Sequence, residues 1–106
     1  MNIFNKKPFL IAHLSFNFYD LAKQENISFM DAAKLLIDDA QLCGVDAVIF
    51  HVYDVGNFIS RDSPSFWNLS LEESVSQFEL FNKYGMFGIG EYRKLAQYCN
   101  ELGILF

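Results

Sequence analysis

The sequence reads as an α/β chain, and three observations lead there. Two short apolar runs, Phe9–Leu14 and Ala47–Tyr53, have the unbroken hydrophobic character of strands in a parallel sheet, buried on both faces. Amphipathic helical spacing lies between and after them. Two helix–glycine–apolar joints, at Gly44 and Gly103, repeat one unit. Strands alternating with helices imply parallel pairing through right-handed crossovers. Pattern by itself leaves a barrel segment and a doubly wound sheet equally open.

Pro8 precedes the first strand, and Ser15–Ile27 is polar and aromatic without a clean period. It reads as a loop with one helical turn around Leu21–Gln24. Ser28-Phe-Met-Asp31 resembles a capping box and opens a helix, with Ala33, Leu36, Ile37, Ala40 and Cys43 on one apolar face. Asp38 and Asp39 fall toward the solvated side, and Gly44 stops the helix. After the second strand, Asp54–Leu69 is a long loop broken by Gly56, Asn57, Asp62, Ser63 and Pro64. Ser70-Leu-Glu-Glu73 is a capping box that predicts a helix to about Lys83. Gly85, Gly88 and Gly90 break the chain again. A last helix spans Glu91–Leu102 with Tyr92, Leu95, Ala96, Cys99 and Leu102 on one face. Gly103 ends it, and Ile104–Phe106 begins a third apolar strand.

Composition narrows the function classes. The chain has 106 residues, 52% hydrophobic and 17% aromatic, which fits one packed domain and excludes a disordered chain. Its net charge is −5 with no Lys/Arg cluster, so nucleic acid is a poor partner, because phosphate contacts supply most of that affinity. A single phosphorylated small molecule needs only one or two local cations and stays open. Cys43 and Cys99 form neither a CxxC nor a zinc spacing, and each reads as a buried thiol acting as a small apolar group. Lys6-Lys7 before an apolar run imitates a signal peptide but lacks its cleavage pattern, and no stretch approaches a membrane span. The expected location is cytoplasmic, and no membrane partner is expected.

The order of several motifs is familiar. Asp31-Ala-Ala-Lys-Leu-Leu-Ile-Asp-Asp-Ala40 and Cys43-Gly-Val-Asp-Ala-Val48 resemble the first helix and second strand of the N-acetylneuraminate (sialic acid) synthase family. So do Ser60-Arg-Asp-Ser-Pro-Ser-Phe-Trp67, Ser76-Gln-Phe-Glu-Leu-Phe-Asn-Lys-Tyr84 and Tyr98-Cys-Asn-Glu-Leu-Gly103. The longer first loop, Asn17-Phe-Tyr-Asp-Leu-Ala-Lys23, is similar to one branch of that family. Each motif is weak alone, and the ordered set covers nearly the whole chain. The resemblance implies a partial (β/α)8 TIM barrel, with residues 1–106 as its N-terminal portion: the first two to three parallel strands with their helices. A whole barrel needs roughly 250 residues. The family condenses phosphoenolpyruvate with an N-acyl-mannosamine-type sugar and uses a divalent metal, Mn or Mg, whose histidine ligands lie on later strands.

The departures from the family pattern gather at one place. Where the family's first strand reads Ala-Glu-Ile-Gly followed by an Asn, this sequence has Ala12-His-Leu-Ser15, with Asn17 kept. Where the second reads Ala-Val-Lys-Phe-Gln, it has Ala47-Val-Ile-Phe-His51. The acidic residue has become His13, the phosphate-binding lysine Ile49, and the glutamine His51. Alternation along a strand puts Ile49 and His51 on one face, with His13 and Ser15 at the matching place on the first strand. In a barrel that face converges on the C-terminal mouth. Losing one charged hydrogen bond there costs about 1.5–3 kcal/mol.

By family position the candidate substrate-binding residues are His13, Asn17, His51, Tyr53, Arg61 and Ser63. No catalytic residue and no metal ligand is assigned. Two imidazoles at adjacent strand ends can bind a metal or titrate near neutral pH, or simply be hydrogen-bonded. Arg61 offers a cation to an acidic ligand, or is a solvated loop residue, the blander reading being favoured. Phe66 and Trp67 read as a small hydrophobic cluster under a long loop. Three functions follow: a sialic acid synthase-like enzyme or its leading piece; a non-catalytic remnant or binding module of that family; or an unrelated small α/β domain. The last lacks support, since no GxGxxG or Walker loop is present. Parallel strands that cannot close a barrel leave open sheet edges, so self-association, or a companion chain that completes the barrel, is expected.

Overall fold

The structure, a computed structural model, describes residues 7–106 and divides into two compact units. The first contains residues up to Phe50 together with Arg93–Phe106; the second is His51–Tyr92. The start of the chain, including Lys6 of the signal-like run, lies outside the described residues.

The first unit is built on a parallel sheet. Strand β1 (Ile11–His13) pairs in parallel with β2 (Ala47–Ile49), in the register Ile11↔Ala47, Ala12↔Val48 and His13↔Ile49. Leu105 adds a parallel bridge to Ala47 on the far side of β2; its N–H donates to the Asp46 carbonyl at 3.1 Å and its carbonyl accepts from Val48 N–H at 2.9 Å. The spatial order is therefore β1, β2 and then the segment at Leu105. The expected third strand is in place, as one bridge. The Asp46 carboxylate locks the entry to β2 by accepting from Leu10 N–H at 2.8 Å.

Helix α1 (Phe18–Glu25) lies where one turn was expected. Its seed is the i, i+4 pair Phe18 and Ala22, both buried, and Asn26 ends it in the left-handed region at φ 53°. Phe18 sits edge-on to Phe29 at 6.5 Å and 6.3 Å from Phe50. Helix α2 (Phe29–Leu42) begins where Ser28 predicts: the Ser28 hydroxyl accepts from Asp31 N–H at 3.0 Å. It buries Ala32, Ala33, Ile37 and Ala40. The expected face is corrected at its end, because Cys43 is exposed as the cap residue beyond the last turn.

Both glycine joints are made the same way. Gly44 takes φ +82°, its N–H donates to the Gln41 carbonyl, and Val45 N–H reaches back to the Ala40 carbonyl. Gly103 takes φ +75°, and Gly103 and Ile104 donate to Asn100 and Cys99. This is the Schellman arrangement, in which a residue without Cβ turns the chain out of a helix.

Tyr98 on the last helix, α5 (Ile89–Leu102), donates its hydroxyl to Asp38 on α2 at 2.5 Å, and Gln41 donates to the Leu102 carbonyl at 3.0 Å, so α2 and the C-terminal half of α5 are neighbours. Crossovers of one hand that advance in one direction across a sheet put their helices on one face. That face carries Val48 and Ile104, both buried together with Ile37, Leu95 and Cys99. The opposite face is largely exposed: Ile11 is 53%, Ile49 41% and Leu105 62% exposed, and only the small Ala47, between Ile11 and Leu105, is buried there. The expectation of strands buried on both faces is corrected to one. Strand β2 also stops at Ile49, so Phe50–Tyr53 do not continue it.

In the second unit, Asp54 caps a short helix α3 (Val55–Phe58) by accepting from Gly56 N–H at 3.1 Å. Helix α4 is Gln77–Tyr84, which corrects the expected start at Ser70. The capping serine is Ser76, whose hydroxyl accepts from Glu79 N–H at 3.1 Å while Glu79 accepts from Val75 N–H at 3.0 Å. Two S-x-x-E patterns compete, and Ser70 is lost to the helix because its N–H and hydroxyl both donate to Asn68 Oδ1. Helix α5 (Ile89–Leu102) starts before Glu91 because the Glu91 carboxylate accepts from Gly88 N–H at 2.9 Å, satisfying a donor of the first turn. Among the described residues, no helix is long and apolar enough to cross a membrane.

Candidate functional site

The candidate residues divide between the two units, with His13 and Asn17 in the first and His51, Tyr53, Arg61 and Ser63 in the second.

In the first unit, the ends of β1 and β2 are tied by two donors on one acceptor. Leu14 N–H and Ser15 N–H donate to the Ile49 carbonyl at 2.9 and 3.1 Å. That pinch holds Ser15 at φ 50°, a left-handed backbone that favours glycine. His13 and Ile49 are register partners, so their side chains project from the same largely exposed face. Both are exposed. Asn17 follows as the first residue before α1. Its N–H donates to the Leu14 carbonyl at 3.0 Å, and its side chain makes no capping bond to the helix. The strand ends thus present an imidazole and an aliphatic wall side by side. Ile49 contributes no charge, and an anion set against it would lose hydration without gaining a partner.

In the second unit, His51 lies beyond the end of β2, so the alternation that was to put it on the face of Ile49 does not reach it. Its carbonyl accepts from the Tyr92 hydroxyl at 2.7 Å. Tyr53 is a packing residue: its ring stacks on Phe58 at 5.1 Å and meets Phe81 edge-on at 5.8 Å, and its hydroxyl donates to the Phe81 carbonyl at 2.7 Å. Burial, with Tyr92 as a smaller contributor, pushes the Tyr53 phenol up to about 12. Arg61 is exposed and lays its guanidinium 4.6 Å from the centre of the Phe78 ring. Ser63 acts through its backbone, accepting from Gln77 N–H at 3.0 Å and donating to the Ser60 carbonyl at 3.2 Å. Trp67 pairs edge-on with Phe66 at 4.9 Å, but Phe66 is 77% exposed, so the pair does not form a closed cluster.

Sequence reasoning missed the densest polar network of this unit. Glu72 accepts from Lys83 Nζ at 2.7 and 2.9 Å, and from the N–H and hydroxyl of Ser74 at 3.0 and 2.7 Å. The bonds from Lys83 and then Ser74 hold the Glu72 carboxyl down at about 2. Eleven positions separate the ion pair, so no helical or strand spacing announces it.

The two cysteines behave oppositely. Cys99 is buried and its thiol is pushed up to about 11 by that burial, whereas Cys43 is exposed. Among the described residues no group of three or more His, Cys, Asp or Glu side chains is placed to hold a metal ion.

Sequential parallel strands, Schellman joints and helices gathered on one sheet face define an α/β protein built from repeated strand–helix units. A family model, the NeuB family, matches residues 36–106. The chain belongs to the NeuB family, that of the sialic acid synthases, within carbohydrate biosynthesis. Comparison with curated proteins gave no match, and neither did comparison with solved structures.

Proposed function

We propose that this chain forms the opening strand–helix units of a (β/α)8 barrel of the sialic acid synthase type, and that it does not catalyse the condensation of phosphoenolpyruvate with an N-acyl-mannosamine sugar by itself. The observation that carries the reading is the family match over residues 36–106, joined to a parallel sheet whose helices lie on one face. The bare row of Ile11, Ile49 and Leu105 is the face such a barrel would turn inward. Absent turnover is supported by Ile49 at the end of β2, where the family pattern has a lysine for the phosphate. One charged hydrogen bond of about 1.5–3 kcal/mol amounts to roughly ten- to a hundredfold in affinity. The family's divalent metal finds no ligand set among the described residues, and no step runs through it here.

The test is phosphoenolpyruvate consumption by the purified chain with N-acetylmannosamine and Mn2+. No turnover is expected, and steady product formation would overturn the inactivity. Installing the missing cation, Ile49→Lys, should raise phosphoenolpyruvate affinity by about tenfold over the unaltered chain in calorimetry, the worth of ~1.4 kcal/mol. Equal affinity would show that position 49 does not set phosphoenolpyruvate binding.

A second reading, a non-catalytic interaction module of the family, is favoured by the same uncovered face. On that reading a companion chain, or a second copy, supplies the surface that covers it in the cytoplasm. Sedimentation velocity over a concentration series tests the second copy: a monomer at every concentration speaks against self-association through this face.

A further inference from the structure

The polar network around Glu72 belongs to a loop with its own architecture. Pro64 and Ser76 form an antiparallel bridge, and Gln77 donates to the carbonyls of Ser63 and Pro64 at 3.0 and 2.9 Å. This closes a neck, and residues 65–75 leave and return through it without helix or strand, in the manner of an Ω-loop. Apolar burial does not hold the loop down. Phe66, Leu69, Leu71 and Val75 are 77%, 50%, 87% and 68% exposed. Inside the loop, Trp67 Nε1 donates to the Ser74 carbonyl at 3.0 Å, and Ser74, itself buried, donates to Glu72. Beyond the neck, the loop reaches α4 through Lys83 on Glu72, an ion pair at 2.7 Å. The other tie, Val75 N–H to Glu79, sits beside the neck and restrains the hinge rather than the tip.

We propose that residues 65–75 are a flap, hinged at the Pro64–Ser76 neck and latched onto α4 by the Lys83–Glu72 ion pair. The inner bonds from Trp67 through Ser74 to Glu72 make the flap one body, so breaking the latch lifts it as a unit. Lys83 also lies 4.9 Å from the Tyr84 ring centre, a second resting place for the ammonium once it leaves Glu72. The pair is partly solvent-exposed, so dissolved salt weakens the latch.

Trp67 is the chain's single tryptophan, so its fluorescence reads the flap without labelling. Lys83→Met removes the charge and keeps the chain length; Glu72→Gln removes the charge and weakens the inner bonds. Both variants should red-shift Trp67 emission and raise its quenching by acrylamide, Glu72→Gln at least as far as Lys83→Met, with the far-UV helix signal unchanged. Rising NaCl should produce the same change in the unaltered protein and little further change in Lys83→Met. Unchanged quenching in both variants and in salt would overturn the proposal. So would loss of helix signal together with the red shift, because the flap would then not open separately from the unit that carries it.

Discussion

Ser15 shows what a single backbone angle can reveal. Its φ of 50° is imposed by the two bonds that Leu14 and Ser15 make to the Ile49 carbonyl. A non-glycine residue in that region carries a steric cost of about 1–2 kcal/mol, and the family pattern has a glycine at this place. Ser15→Gly should therefore stabilise the chain, by about 1 kcal/mol in a denaturant titration once the greater freedom of glycine in the unfolded chain is set against the relief. A loss of stability would mean that the serine side chain supports the turn. Tyr53 gives a prediction of the opposite kind. A phenol raised in the folded state contributes stability that is complete below its ordinary value of 10.0 and is lost as pH rises through about 12. Tyr53→Phe should abolish a tyrosinate absorbance step near pH 12. It should also cost about 1 kcal/mol at neutral pH, by removing the hydrogen bond to Phe81. The cysteines follow from exposure alone: a thiol reagent should modify Cys43 in the folded protein and reach Cys99 only after denaturation.

At the scale of elements, the two serines before α4 separate a pattern from its use. Ser76→Ala should cost about 1 kcal/mol, since it orphans the Glu79 N–H, whereas Ser70→Ala removes no helix cap. Urea midpoints of the two variants, compared at equal slope, decide it; equal losses would restore the sequence reading. That reading failed because S-x-x-E records only that a cap is possible, and Asn68 had already engaged the earlier serine. Helix α1 was read as a single turn for a related reason: its signal is one buried pair, Phe18 and Ala22, too short to show a period. By contrast, the helix at Ser28 and both glycine joints were legible, because each depends on a side chain or a missing Cβ acting within six residues. Strand lengths were overread, since apolar residues past Ile49 pack as aromatic contacts such as Phe50 on Phe106, at 5.8 Å, without extending the ladder. The candidate site was legible only in part for the same reason. His13 and Ile49 are brought together by a ladder register that alternation predicts, while Tyr53 and Arg61 take their places from ring packing, which leaves no spacing to read.

For the molecule as a whole, the distribution of burial decides what opens first. Among the described residues every buried hydrophobic side chain except Tyr92 belongs to the first unit, where Phe18, Ile37, Val48, Leu95 and Cys99 form its centre. The second unit is held instead by partly buried rings, the Tyr53–Phe58–Phe81 group, and by the Glu72 bonds. Apolar burial scales with area, at roughly 25 cal/mol per Å2, whereas a part-exposed ion pair contributes about 0–1 kcal/mol. Local opening free energies should differ accordingly between the units. Hydrogen exchange read by mass spectrometry should find slow amides in α2, β2 and the C-terminal half of α5, and fast amides across residues 51–76. Lowering the pH should widen the gap. A carboxyl held down in the folded state contributes stability that is present above its ordinary value of 4.5, and this is lost as pH falls through about 2. Glu72 belongs wholly to the second unit, so acid should loosen the flap and α4 before β2 responds. Uniform protection across both units, or acid loosening that begins in α2, would show that the polar bonds hold more of the fold than their exposure allows.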